Sequence, residues 1–299
     1  MNEFINDRKN MNRLGFATLA LFIFTDLSSE VLPQAVLLLF PGLSQTVLES
    51  ISYISLLLEL PAFYALVYLL PRGVIAEKRQ LSLGKLLTVF IIGLGVSYAL
   101  NYLIYPVNEL ISTMKEAYGV APSVSYYDSV SVPGVIYTVL AAPIVEELVF
   151  RKLMLDRLRP MGDGVAIIFT SLAFGMYHMN MQQLLFAAWW GIVLSYVVMR
   201  TGTIKYSVIL HIMVNTLGAM FDIAGGYIAD AALLNILTSV TVLAVIAVGL
   251  ILLVRAVRRG AIVISQPILP IHRRLFTAPG VICALIFAIL ANGFYAIIS

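Results

Sequence analysis

The chain has 299 residues, of which 61% are hydrophobic and only 12% charged, with a formal net charge of +3. An ordinary globular domain carries roughly 25% charged residues, so this composition describes an integral membrane protein and excludes a soluble enzyme. No basic face interleaved with aromatics exists to bind nucleic acid, and the single cysteine, Cys283, excludes an internal disulfide or a cysteine-rich metal site.

In chain order, Arg8, Lys9 and Arg13 precede a first apolar run, Leu14 to Phe40, which is interrupted by Asp26-Leu27-Ser28-Ser29-Glu30. Either half is shorter than the roughly 20 residues a span needs, which predicts one long, broken helix with a kink near Pro33. A second span is expected over about 47–70. The connector holding Arg72, Lys78, Arg79 and Lys85 follows, then a third span over about 86–105. After it comes a polar stretch with Glu109, Glu116 and Asp128 against Lys115, read as an outer loop.

A fourth span starts near Val132, carries Glu146 and Glu147, and ends at Arg151, Lys152, Arg157 and Arg159. A short fifth runs over about 165–179 and ends near His178. The sixth, about 184–199, leads to Arg200 and Lys205; the seventh, about 206–221, carries His211 and Asn215 and exits at Asp222 and Asp230. An eighth, about 231–254, leads to Arg255, Arg258, Arg259, Arg273 and Arg274, and a last runs over about 279–298. Basic connectors then share one side and acidic ones the other, which places the N-terminus in the cytoplasm by the positive-inside rule. The expectation is an all-α, polytopic transmembrane helical bundle of eight or nine spans. It divides into N-terminal helices and an outer loop at 1–130, a core at 131–222 and C-terminal helices at 223–299.

Ionisable groups inside a bilayer are expensive, so they point to function. At about 1.5 Å per residue, Glu146 lies roughly 15 Å from the inner end of its helix, His178 roughly 20 Å, and His211 to Asn215 roughly 9 to 15 Å. These depths let one site form. Glu147 and Arg151 are four apart, acid first, the favourable order for a helix ion pair. Glu146 points about 100° away without a cation at that spacing. Glu147 therefore reads as the supporting acid and Glu146 as the one free for chemistry, since a desolvated, unpaired carboxylate makes a good base for water. His211 and Asn215, again four apart, project an imidazole and an amide into one space, where both can donate to an oxyanion. His272, the third histidine, sits among arginines.

At these residues the chain resembles the CPBP membrane proteases, a family of type II CAAX prenyl endopeptidases and bacteriocin-processing or self-immunity proteins. Glu146-Glu147 with Arg151, Phe174 with His178, and His211 with Asn215 match its E-E-x-x-x-R, F-x-x-x-H and H-x-x-x-N motifs in order. Gly191, Tyr196 and Arg200-Thr201-Gly202-Thr203-Ile204 also look like its pattern, and the resemblance covers about 130–220. It implies a four-helix catalytic core whose cavity opens to the cytoplasm, cleaving a membrane peptide or a lipidated, CAAX-type protein at the lipid bilayer. Carried over, Glu146 activates water, His178 and His211 bind the water, a metal or the oxyanion, and Asn215 stabilises the tetrahedral intermediate. Glu147, Arg151 and Phe174 support them. The family has been described both as metal-dependent and as metal-free. His178, His211 and Glu146 could complete an open zinc site, but two acids and an amide already supply a base and an oxyanion donor, which favours a metal-free or weakly metal-dependent site over one built on a divalent metal. Two other classes stay open: an ion-coupled transporter, which also places polar groups at the midplane, and a non-enzymatic immunity or scaffold protein, which needs none of these residues.

Overall fold

A computed structural model describes residues 8–72, 77–119, 131–227, 231–263 and 272–298. Asp128, Asp230 and the side chains of His272 and Arg273 lie outside what is described. All regular structure among the described residues is helical: α1 Arg8–Leu39, α2 Gln45–Val67, α3 Leu83–Ala117, α4 Val132–Met161, α5 Asp163–Tyr177, α6 Met181–Thr201, α7 Lys205–Tyr227, α8 Ala231–Arg258, α9 His272–Phe276 and α10 Pro279–Ile298. Eight of them are long and apolar enough to cross a bilayer. The expected short fifth span is α5, apolar but only 15 residues long, about 22 Å against a hydrocarbon core of about 30 Å.

The expected break in the first span is a widened, π-helical turn at Leu27–Val31, with Pro33 opening the next α-helical stretch. Helical hydrogen bonding is re-phased there rather than lost, and Asp26 accepts a hydrogen bond from the Tyr295 hydroxyl of α10. The expected outer loop after Tyr105 is a correction: α3 runs on through Pro106 to Ala117 and carries Glu109, Lys115 and Glu116 on its last turns. Leu, Met, Lys, Glu and Ala, all good helix formers, populate that stretch.

Small residues set the helix crossings, as expected where lipid is as apolar as the side chains. A Cβ on Gly15 would overlap the Val281 nitrogen, and one on Gly280 the Asn12 carbonyl oxygen, so α1 and α10 meet backbone to backbone. The Trp189 indole of α6 donates to the Gly93 carbonyl of α3 at 3.0 Å. The densest core joins α1, α2, the second half of α4, α5 and α10 around Phe22, Phe63, Phe150, Leu158 and Phe174. By contrast, α8 packs chiefly on α3 and leaves Leu237, Val240, Leu243 and Ile251 exposed.

The ends of the bundle sort by chemistry. At one end the Arg157 guanidinium, fully buried, donates to the Val67 carbonyl at 2.7 Å and closes the last turn of α2. There too the Arg79 N–H reaches the Thr201 carbonyl at 2.9 Å. At the other end Ser131 donates to Glu49 at 2.9 Å.

Candidate active site

Helix α4 carries the two glutamates, and its irregularities aim them. Ser131 caps its start by accepting the Gly134 N–H at 3.1 Å. Over Tyr137–Ala141 the helix widens, so the Ala142 N–H bonds the Tyr137 carbonyl instead of the Thr138 carbonyl an α-helix would use. The next residue, Pro143, has no N–H to offer. The Thr138 carbonyl is thereby released and accepts from the Asn215 side-chain amide of α7 at 2.8 Å. That contact uses one of the two amide protons.

A second widened stretch, Glu147–Met154, begins where the acids stand. Glu147 is fully buried; its Oε1 lies 3.4 Å from the Arg151 Nη1 and 3.1 Å from the His211 Nδ1. Glu146 is 8% exposed and places Oε2 3.6 Å from the His211 Nε2, beyond hydrogen-bond length. The imidazole of α7 therefore stands between the two carboxylates, one held and one turned outward. The Arg151 guanidinium, fully buried, lies 4.2 Å from the centre of the Phe174 ring, a cation–π contact. Phe174 in turn meets His178 and His211 edge-on, at 5.0 and 5.6 Å between ring centres. This one ring sets the spacing of both histidines over the arginine.

His178 caps the C-terminus of α5. Its Nδ1 lies 2.8 Å from the Phe174 carbonyl, which can only accept, so Nδ1 carries the proton and the neutral ring keeps a lone pair on Nε2. Met179 follows with φ of 49°, an uncommon left-handed conformation for a residue with a side chain.

Glu146, His178, His211 and Asn215 all line one cavity of about 530 Å³, together with Tyr137, Thr138, Phe186, Trp190, Val214 and Asp222. Glu147 and Arg151 sit behind that wall, and Phe174 forms part of it. Glu146, Glu147, Arg151, Phe174, His178, His211 and Asn215 are thus gathered at this place, whereas the Tyr196 hydroxyl lies against the Ala261 carbonyl and the Val263 N–H.

A zinc site requires three protein donors converging on one point. Among the described residues no three His, Cys, Asp or Glu side chains are so placed. His211 turns both nitrogens toward glutamates, and His178 commits Nδ1 to its own helix. The set His178, His211 and Glu146 is therefore not assembled as a ligand shell.

Sequence reading missed a further buried carboxylate beside the two of α4. Glu59 of α2, 1% exposed, accepts from the Tyr177 hydroxyl at 2.6 Å and from Thr25 at 2.8 Å, tying α1, α2 and α5 together. Its signal was present, since any acid inside a span calls for a partner.

The matched family agrees with these residues. Residues 128–217 match the model of the Rce1-like type II CAAX prenyl endopeptidases. These are membrane peptidases acting on membrane-associated proteins, and the matched segment runs from just before α4 to residue 217 within α7 and contains the E-E-x-x-x-R, F-x-x-x-H and H-x-x-x-N residues named above. No curated protein and no solved structure matches the chain.

Proposed function

We propose that the protein is an intramembrane endopeptidase that hydrolyses a peptide bond of a membrane-associated peptide or CAAX-type protein, with Glu146 as the base for water. The observation that carries this reading is the contrast between the two acids: Glu147 is sequestered by Arg151, while Glu146 faces the cavity beside His211. Glu146 takes a proton from the attacking water and passes it to the leaving amine. His211, hydrogen-bonded through Nδ1 to Glu147, is held in position with Nε2 toward Glu146 and the reacting atoms. The second proton of the Asn215 amide, whose first is anchored on Thr138, donates to the oxyanion. His178 offers Nε2 to orient the water. Residues 131–222 make the catalytic unit, with 1–130 and 223–299 as its flanking membrane helices, and the N-terminus faces the cytoplasm.

The test is cleavage of a quenched fluorescent peptide library by detergent-purified protein, wild type against Glu146→Gln, each with and without a strong chelator. Loss of a general base costs 10²- to 10⁴-fold in rate, and that loss in a folded variant is the expected result. A Glu146→Gln protein as active as wild type overturns the assignment. Wild-type activity that disappears under chelation and returns with zinc replaces the metal-free chemistry with a metal-dependent one.

A further inference from the structure

We propose that Glu59, Tyr177 and Asn292 are positioning residues for His178, so that helices flanking the matched segment complete the active site; this rests on the peptidase reading above for what His178 does. The need for such residues follows from where His178 stands. It is the C-cap of α5, at the end of a helix whose last carbonyls lack intrahelical donors. Its own ring takes one of them, with Nδ1 2.8 Å from the Phe174 carbonyl. The next residue, Met179, is left-handed with φ of 49°, a conformation that persists in a residue with a side chain only where its surroundings over-determine it. An imidazole on such a turn keeps one orientation only if the turn itself is held.

Two contacts hold it, and both reach outside α4 to α7. In the first, the Tyr177 hydroxyl donates to Glu59 of α2 at 2.6 Å, and the other oxygen of that carboxylate accepts from Thr25 of α1 at 2.8 Å. The buried Tyr177 ring stands edge-on to Phe150 at 5.2 Å and to His178 at 5.6 Å between ring centres. Fixing the hydroxyl therefore fixes the ring that the histidine leans on. In the second, the buried Asn292 amide of α10 donates to the Met176 carbonyl at 3.1 Å, the same oxygen that accepts the Met179 N–H at 3.2 Å. Its other proton goes to the Ala288 carbonyl at 2.9 Å, so the amide cannot turn over without facing both carbonyls with its own oxygen.

These ties gather at the histidine end of α5. Farther up the helix Thr170 and Ser171 turn their hydroxyls back to carbonyls of α5 itself. Thr25, Glu59 and Asn292 all lie outside residues 128–217, so α1, α2 and α10 act on the chemistry through the last turn of α5.

Glu59 serves there through its hydrogen bonds and not its charge. The Thr25 hydroxyl also lies 2.9 Å from the Leu21 carbonyl, which gives its proton a second acceptor. A glutamine at 59 can accept from Tyr177 and donate to Thr25, while Thr25 donates to Leu21. Glu59→Gln therefore keeps the tie, and Glu59→Leu removes it.

The experiment is heteronuclear NMR of the imidazole nitrogens in detergent-purified, histidine-labelled protein. The chain has three histidines, and the signals of His178 are those lost in His178→Ala. Wild type and Glu59→Gln should show His178 in a single, Nδ1-protonated tautomer, whereas Tyr177→Phe, Glu59→Leu and Asn292→Leu should show mixed tautomers as the turn loosens. On the best-cleaved peptide of the quenched library the last three should lose on the order of 10- to 100-fold in kcat with KM nearly unchanged, the signature of a displaced reacting group. Glu59→Gln should stay near wild type. Tyr177→Phe keeps the ring and its edge contacts, so it carries the test where a buried leucine impairs folding. A Tyr177→Phe protein with the wild-type tautomer, or with wild-type kcat, overturns the proposal, and so does a Glu59→Gln protein as impaired as Glu59→Leu. The tautomer is read without turnover, so its outcome is separate from that of the Glu146→Gln assay.

Discussion

Two adjacent acids do different work here because of what each touches. In a regular helix they would diverge by about 100°, yet the widened turn after Glu146 lets both reach His211. What separates them is the cation behind Glu147. Breaking a buried ion pair by removing one partner costs about 3–5 kcal/mol because the remaining charge stays buried. Arg151→Met should therefore lower the unfolding midpoint clearly and abolish cleavage, as Glu147 loses its cation and drags His211 from its place. Arg151→Lys keeps the charge but not the planar face laid on Phe174, so it should recover much of the stability and little of the activity. Thermal unfolding and cleavage measured on both variants check this, and an Arg151→Lys protein as active as wild type would show that only charge matters. The pairing of Glu147 with Arg151 was legible because its partners lie four residues apart. Glu59 was not, because its partners Thr25 and Tyr177 lie 34 and 118 residues away, distances at which spacing carries no information.

At the scale of the element, α4 is defined by where it departs from an α-helix. The release of the Thr138 carbonyl depends on Pro143 having no N–H and on the bond from Ala142 to Tyr137. Pro143→Ala restores a donor in that turn and removes a helix-disfavouring ring. The expected result is a protein at least as stable as wild type whose cleavage is weaker, because the Thr138 carbonyl is drawn back into its helix and Asn215 loses its anchor. A fall in rate with an unchanged or raised unfolding midpoint separates this positioning role from a folding role; an unchanged rate overturns it. The helices themselves were legible as apolar runs, but their widened turns were not. A helix that is apolar all round presents no 3.6-residue stripe against which an extra residue would register. For the same reason α3 reads from sequence as ending at its first polar cluster, while its helix-forming residues carry it twelve residues past Tyr105, to Ala117.

At the scale of the molecule, the number of spans and the grouping of charges at its two ends were written in composition and in the spacing of Lys and Arg. Which half of each helix lines the cavity was not, because that depends on how the helices pack and not on their composition. The short α5 ties these features to the bilayer. Its outer side chains Ile168 and Leu172 are exposed, while its length falls about 8 Å short of an average hydrocarbon core. On one flank His178 borders the cavity; on the opposite flank a bilayer of average thickness must thin to match the short helix. Mismatch costs fractions of a kcal/mol per Å, so several ångströms amount to a few kcal/mol borne by the segment that positions His178. In thicker bilayers that strain should pull α5 and its histidine out of register with Glu146. Cleavage measured in proteoliposomes of monounsaturated lipids with progressively longer acyl chains should accordingly be fastest in the thinnest bilayer and fall as the chains lengthen. A rate that stays flat across the series would mean that neighbouring helices, and not lipid, cover the outer flank of α5.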